Sequence, residues 1–281
     1  MYIGSHISAA GGAYNAPKNS ANIGGEVFQF FSRSPRGGPA PKLTSEVVKG
    51  FKANMSKYKQ HNSYIHAPYY INLASSNNRI YHGSVSVLRE ELERGAELGV
   101  KYMMTHLGSA KDLGEKQAIK KVAKGINTVL DGYKGTTLFL IEMSAGAGMI
   151  IGDTYEEIKE IIKLLKNKSK AGVCYDTCHA FVSGYDLRDK KSVKKTFDDF
   201  DKILGLKNLK LIHLNDSKTD LGSHRDRHAD IGKGKIGLNG FRALMEDKRL
   251  KDVDLILETP TQELDKKNLN IIKKLRKETY K

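Results

Sequence analysis

The sequence predicts an α/β protein, a single (β/α)8 TIM barrel over residues 1–281. Three observations predict it. Eight short apolar runs rich in β-forming residues recur along the chain, and longer stretches with helical character separate them. Each of the last six runs also ends in a histidine or a carboxylate. Eight strands alternating with helices in 281 residues is the count such a barrel needs. No linker or break in composition divides the chain, which favours one domain.

The strands are expected at YIGSHIS (2–8), VFQFFS (27–32), SYIHAP (63–68) and YMMTHLG (102–108). Four more follow at TLFLIEMS (137–144), GVCYDTC (172–178), LKLIHLND (209–216) and VDLILET (253–259). Between them lie amphipathic segments such as VLREELERGAELGV (87–100) and TYEEIKEIIKLLKN (154–167), apolar near every 3.6 residues.

Composition narrows the class. A chain that is 39% hydrophobic and 28% charged is neither disordered nor membrane-embedded. No window approaches the ~20 apolar residues of a membrane span. The start, MYIGSHISAAGG, lacks the basic and apolar regions of a secretory signal. Cys174 and Cys178 are the only cysteines, too few for a disulfide scaffold and consistent with a reducing compartment. The expectation is a soluble, cytoplasmic monomer without a membrane partner. Lys and Arg outnumber Asp and Glu by 47 to 32, a net charge of +15 that leans toward a polyanionic partner such as nucleic acid.

The ionisable strand ends carry the chemistry. They are His66, His106, Glu142, Asp176, His213 and Glu258. In a (β/α)8 barrel the C-terminal strand ends converge on one face, where active sites sit. A single such residue reads as a buried group with its hydrogen bonds satisfied. Six in succession do not, because buried charge needs a partner, and metal ions supply one.

Two further clusters extend the set. In DTCH, Asp176 and His179 are three apart, so a turn after the strand aims both inward. The stretch HRDRHADIGKGKIG (224–237) opens with Asp226 and His228 two apart, which extended backbone points the same way while Arg225 and Arg227 alternate outward. The tally is five histidines and four carboxylates, too many for one ion, comfortable for two, and enough for three with a bridging carboxylate. Three divalent ions against four carboxylates leave about two positive charges, which attract phosphate. Such sites suit in-line displacement at phosphorus. A multinuclear metallohydrolase with a phosphodiester substrate is the reading from spacing and chemistry.

Several motifs are similar to those of the endonuclease IV family of abasic-site endonucleases: YIGSHISAAGG (2–12), HAPYYINLAS (66–75), CYDTCHAF (174–181), HLNDSK (213–218) and DRHADIGKGKIG (226–237). The resemblance runs from residue 2 to about Glu258, in the family's order. It implies a single (β/α)8 barrel with three zinc ions, although manganese or iron also suit His and carboxylate ligands. His66, His106 and Glu142 would hold one ion. Glu142, Asp176, His213 and Glu258 would hold the second, and His179, Asp226 and His228 the third. The implied reaction, a step of base excision repair, hydrolyses the phosphodiester 5′ to an abasic site in duplex DNA, leaving a 3′-hydroxyl and a 5′-deoxyribose phosphate. Trimming of blocked 3′ ends accompanies it. Glu142 and Glu258 are the catalytic pair, holding the attacking water between metals. Arg36 in SRSPRGGP and Tyr69 in HAPYY match residues that enter the duplex, and Tyr70 stands where an aliphatic wedge is usual. Asn72 and Ser109 complete the DNA-facing set.

Other features read more plainly. Cys174 and Cys178 are buried filler. His6 lies inside the cleft, beside the substrate or behind the ligands. His61, His82 and His224 are expected at the surface. IGKGKIG (231–237) lacks the Walker arrangement, so its lysines meet DNA or water. SAGAG (144–148) either lets backbone approach the substrate or is an ordinary loop. The basic stretch KKLRKETYK (273–281) is expected to be the exposed face of a last helix. Two rival readings are a sugar isomerase or epimerase on a related barrel, which has no evident use for the third ligand group, and a lesion-binding protein without catalysis, which would have no reason to keep nine ligands.

Overall fold

Eight parallel strands of the computed structural model close on one another, and a short antiparallel hairpin stands outside them. Residues 1–280 are described; Lys281, the end of the basic tail and of the expected domain, lies outside the described residues. The strands are β1 (Ile3–His6), β2 (Val27–Phe30), β3 (Ser63–His66), β4 (Tyr102–Thr105), β5 (Leu138–Glu142), β6 (Ala171–Asp176), β7 (Leu209–His213), β8 (Asp216–Ser217), β9 (His228–Ala229) and β10 (Asp254–Leu257). Strands β1 to β7 lie side by side in chain order, and β10 closes the ring between β7 and β1. Strands β8 and β9 make the hairpin. The expected barrel is therefore the observed one.

Helices α1 (Ala16–Ile23), α2 (Ser45–Lys57), α3 (Asn78–Leu98), α4 (Glu115–Leu130), α5 (Tyr155–Leu164), α6 (Thr177–Val182), α7 (Lys190–Ile203), α8 (Gly237–Glu246) and α9 (Asp265–Thr279) fill the connections. Side-chain caps start several of them. Asn77 accepts from the N–H groups of Arg79 and Ile80 at the head of α3, and Thr154 accepts from Glu157 at the head of α5. Gly99, at φ 81°, ends α3 short of the expected residue 100. Thr154 is the cap of α5, which ends at Leu164, so the 154–167 segment is helical only in its middle. Among the described residues, no helix is long and apolar enough to cross a membrane.

Alternation along each strand separates two cores. Phe139 and Ile141 of β5 pack outward against the helices, as do Val173, Tyr175, Ile212, Leu255 and Leu257. Val27, Tyr64, Tyr102, Met104, Leu140, Cys174, Leu211 and Ile256 pack into the lumen. Two residues further on, each of these columns reaches the mouth of the barrel.

Each expected strand overshoots the observed one at its C-terminal end by two or three residues. The cause is common to all eight: pairing stops where the backbone turns outward into the loops that shape the mouth. Thr177 and Cys178, for example, enter α6 directly because the Asp176 side chain caps it. His106 and Glu258 accordingly sit one residue beyond β4 and β10.

Candidate metal centre

The inward columns place eight polar side chains on one level at the barrel mouth. Strand alternation brings up His6 from β1, Gln29 from β2, His66 from β3, Glu142 from β5, Asp176 from β6 and His213 from β7. His106 and Glu258 follow β4 and β10. Six of these eight are the ionisable strand ends of the sequence, and His6 lines the cleft as well. Sequence reasoning misses Gln29, because it sits inside the apolar run VFQFFS rather than at its end. The signal that finds it is its two-residue offset from Val27.

Ligand atoms at the mouth fall into four sets whose members lie within 4.8 Å of one another. One, Asp176 with Cys178 and His228, depends on a thiol whose loss of a proton burial opposes. The other three are His66, His106 and Glu142; Glu142, Asp176, His213 and Glu258; and His179, Asp226 and His228. These are the three groups that the resemblance implies, with Glu142 shared by two. Glu142 Oε2 lies 2.9 Å from His66 Nε2 and 3.6 Å from His106 Nε2, while Oε1 lies 2.9 Å from His213 Nδ1. Asp226 Oδ2 and Oδ1 lie 3.3 Å from the Nε2 atoms of His179 and His228. Glu142, Asp176 and His213 are fully buried at the floor, whereas the side chain of Asp226 is 45% exposed. The cleft above has a volume of about 370 Å³ and is also lined by His6, Tyr69 and Asp265.

Histidine orientation favours metal binding. His66, His179 and His228 each donate Nδ1–H to a backbone carbonyl, of Ala67 at 2.6 Å, Met143 at 2.9 Å and Glu258 at 2.9 Å. That bond fixes the tautomer and turns the Nε2 lone pair toward the cluster, the usual arrangement behind a metal-ligating imidazole. The buried Nε2 of His228 and Nδ1 of His106 have no hydrogen-bond partner among the described residues. The His228 Nε2, without a hydrogen bond at 3.3 Å from Asp226 Oδ1, fits a divalent ion better than a closed hydrogen-bond network.

Electrostatics agrees. Burial pushes the Glu142 carboxyl up, but His106, His213 and His66 outweigh it and hold the group well below the ordinary carboxylate range. Burial likewise opposes ionisation of Asp226, and His179 with His228 brings it to about 2. His179 loses basicity to burial and regains more from Asp176 and Asp226, reaching about 10. Burial keeps His6 and His106 below the ordinary histidine value. The centre thus holds anionic oxygens against imidazoles in a buried setting, and a divalent cation can replace the protons that otherwise balance them.

A second level of contacts holds the ligands. Asn215, buried beside Asp176, donates to its Oδ2 at 2.6 Å and accepts from the Glu258 N–H at 2.8 Å. Asp216 accounts for the glycines of IGKGKIG. Its carboxylate accepts from the backbone N–H groups of Gly232, Gly234, Ile236 and Gly237 at 2.9–3.3 Å, so the loop wraps an anion of the chain itself. A Cβ on Gly234 would collide with Asp216 and the Ser217 carbonyl. The pairing of Ser217 with His228 then sets the hairpin that carries Asp226 and His228. Neither Asn215 nor Asp216 stands out in HLNDSK, because their bonds run to distant backbone.

The other expected residues occupy varied settings. Cys174 and Cys178 are buried free thiols, and burial lifts Cys174 to about 12, so both are inert filler. His61, His82 and His224 are exposed, with His61 stacked on Tyr2. Ser109 Oγ donates to the Gly148 carbonyl of SAGAG at 2.6 Å. Asn72 Oδ1 accepts from Ala74 N–H at 3.0 Å and packs on Gly108, where a Cβ would collide with Asn72 itself and φ is 101°. Both residues thus tie mouth loops together. Tyr69 (68% exposed), Tyr70 and Arg36 stand on the rim, and Tyr69 meets Phe31 edge-on and bonds through its N–H to the Pro35 carbonyl. In the basic tail, Arg276 is not a free surface group, since it pairs with Glu26 at 2.7 Å.

Comparisons with known proteins agree with this geometry. The model of the xylose isomerase-like TIM barrel family matches residues 17–277. A probable endonuclease 4 of Nitrosopumilus maritimus is 42% identical over 92% of this chain and 94% of its own. The crystal structure of endonuclease IV from Thermus thermophilus superposes with a TM-score of 0.89 at 32% identity, covering 99% of this chain and all of that one. A D-tagatose 3-epimerase-like protein covers 99% of this chain and 98% of its own with a TM-score of 0.77, but at 18% identity it shares the fold alone. With that identity spanning nearly the whole chain, the protein belongs to the endonuclease IV family of xylose isomerase-like TIM barrels.

Proposed function

We propose that this protein is a metal-dependent endonuclease of base excision repair. It hydrolyses the phosphodiester 5′ to an abasic site in double-stranded DNA, giving a 3′-hydroxyl and a 5′-deoxyribose phosphate, and it trims blocked 3′ ends. The observation that carries the proposal is the third ligand group, His179 with Asp226 and His228, joined at one barrel mouth to the pair of groups that share Glu142. Two groups would satisfy an isomerase, and a third suits a reaction in which a phosphate gains charge while a leaving oxygen departs. Membership of the endonuclease IV family points the same way.

The nine residues would hold three ions, zinc in the first instance, in the three groups given above. Bound divalent ions supply Lewis acidity toward phosphate oxygens and acidify water near neutral pH. Glu142 and Glu258 accept hydrogen bonds from the attacking water and orient it. His66, His179 and His228 enter the reaction already oriented by their backbone carbonyls, so no imidazole has to turn during it. Arg36, Tyr69 and Tyr70 enter the duplex to hold the lesion out of the stack, and Asn72 and Ser109 meet the DNA backbone. The chain acts as a monomer on intracellular DNA, and its +15 charge draws the polyanion.

The test is a duplex carrying one tetrahydrofuran abasic analogue, which cannot undergo β-elimination. Cleavage on its 5′ side with a 3′-hydroxyl, by protein containing about three zinc ions, is the expected result. Fully metallated protein that leaves the duplex intact would overturn the proposal and favour the sugar isomerases.

A further inference from the structure

Gln29 is fully buried at the floor of the mouth, and every hydrogen bond of its amide runs to a residue of the centre. Its Nε2 lies 2.9 Å from His6 Nδ1 and 2.5 Å from Glu258 Oε1. Its Oε1 lies 2.7 Å from His213 Nε2.

The chemistry of an amide leaves little freedom here. Oε1 only accepts, so His213 Nε2 must carry a proton, and in the neutral ring Nδ1 is then the lone pair. That Nδ1 faces Glu142 Oε1 at 2.9 Å and Glu258 Oε2 at 3.3 Å. The two Nε2 protons go to Glu258 Oε1 and His6 Nδ1, so His6 Nδ1 must be unprotonated and the ring proton resides on Nε2. The reverse amide orientation would set two acceptor oxygens 2.5 Å apart at Glu258. Glu258 belongs to the four-ligand group, and a carboxylate that holds a divalent ion is unprotonated, so it has no proton to lend to that contact. His6 Nδ1 is itself 3.6 Å from Glu258 Oε1, too far to replace the amide.

We infer that Gln29 is a positioning residue that sets opposite tautomers on two histidines, presenting the Nδ1 lone pair of His213 to the metal-holding carboxylates and leaving His6 as a neutral Nε2–H donor in the cleft it lines. The inference rests on the function proposed above, because an ion held by Glu258 is what keeps that carboxylate unprotonated. One side chain, absent from the ligand set, thereby links β1, β2, β7 and the loop after β10. The His6 N–H is a donor for a phosphate or sugar oxygen of the substrate.

The experiment is a long-range ¹H–¹⁵N correlation spectrum of the zinc-reconstituted chain labelled at histidine nitrogen, with His6 and His213 assigned from His6→Asn and His213→Asn. The expected spectrum shows His6 protonated at Nε2 only and His213 protonated at Nε2. In Gln29→Leu both rings should shift, His6 should become a mixture of tautomers, and the zinc affinity of the Glu142–Asp176–His213–Glu258 group should fall roughly tenfold, as for other groups behind a metal ligand. Gln29→Glu keeps the size of the side chain and serves if the leucine variant does not fold; it should shift the same two rings. A wild-type His6 protonated at Nδ1, or rings unmoved in both variants, would overturn the inference. A wild-type chain that takes up no zinc would instead sink the metal reading and, with it, the inference that rests on it.

Discussion

The two ends of the barrel lumen each bury a carboxylate, and the company each one keeps differs. At the N-terminal end Asp254 accepts from the Tyr2 N–H at 2.8 Å, Asn62 Nδ2 at 2.8 Å and Tyr64 OH at 2.5 Å. Its lone pairs are used by neutral donors that have nothing else to do. At the C-terminal end the Glu142 carboxylate is faced only by imidazole nitrogens, and other imidazole nitrogens beside it or nearby lack any partner among the described residues. A satisfied buried carboxylate is a structural part. One surrounded by half-satisfied histidines has the donors that suit a divalent cation, and active sites of this fold lie at that end.

The sharpest way to break this contrast is Glu142→Ala. It should lower nicking of an abasic duplex by on the order of 10³, cut the number of zinc ions retained per chain, and spare much of the duplex binding. A metal-replete variant with wild-type turnover would remove Glu142 from its bridging role. Asp254→Ala should do the opposite. Three donors lose their acceptor, so folding free energy should fall by about 3 kcal/mol in urea titration while turnover per folded molecule is unchanged. Loss of turnover at full folding would show that the two ends are not separable.

Glu157 is an intermediate case that sharpens the comparison. It is buried with one backbone donor, Gly152 N–H at 2.6 Å. Burial lifts its carboxyl to about 7, with Asp153 adding to the lift and the Gly152 bond opposing it. Between the ordinary value of 4.5 and about 7 the folded chain binds more protons than the unfolded chain, so this group makes stability fall as pH rises through that window. The loss should be about 1–3 kcal/mol between pH 5 and pH 8, and Glu157→Gln should abolish that part of the slope. Equal slopes in the two proteins would refute it. The smallest effect is expected at the rim: Arg36→Ala should reduce the preference for abasic over intact duplex by about fivefold, or roughly 1 kcal/mol, in competition binding. Unchanged discrimination would remove Arg36 from the residues that read damage.

Much of this was legible in one dimension because a parallel barrel writes its active site as a period. Apolar runs end in ionisable residues at regular distances, and burial on both faces makes such residues conspicuous. The gathering of His66, His106, Glu142, Asp176, His213 and Glu258 follows from strand geometry alone, and Asp226 with His228 from their spacing. Strand ends were less legible, since the residues that continue an apolar run into a loop have the same character as those that pair.

What the amino-acid sequence determined by itself was the barrel, the set of candidate ligands and the end of the lumen they occupy, because strand alternation is local and repeats. Tertiary structure alone decided which candidate ligands stand within reach of one another, which nitrogen each histidine presents, and why Gln29, Asn215 and Asp216 matter. Those properties depend on hydrogen bonds between residues tens to hundreds of positions apart, such as Gln29 to Glu258 or Asn215 to Asp176. No local pattern encodes such a bond; it exists only once the ring of strands has closed.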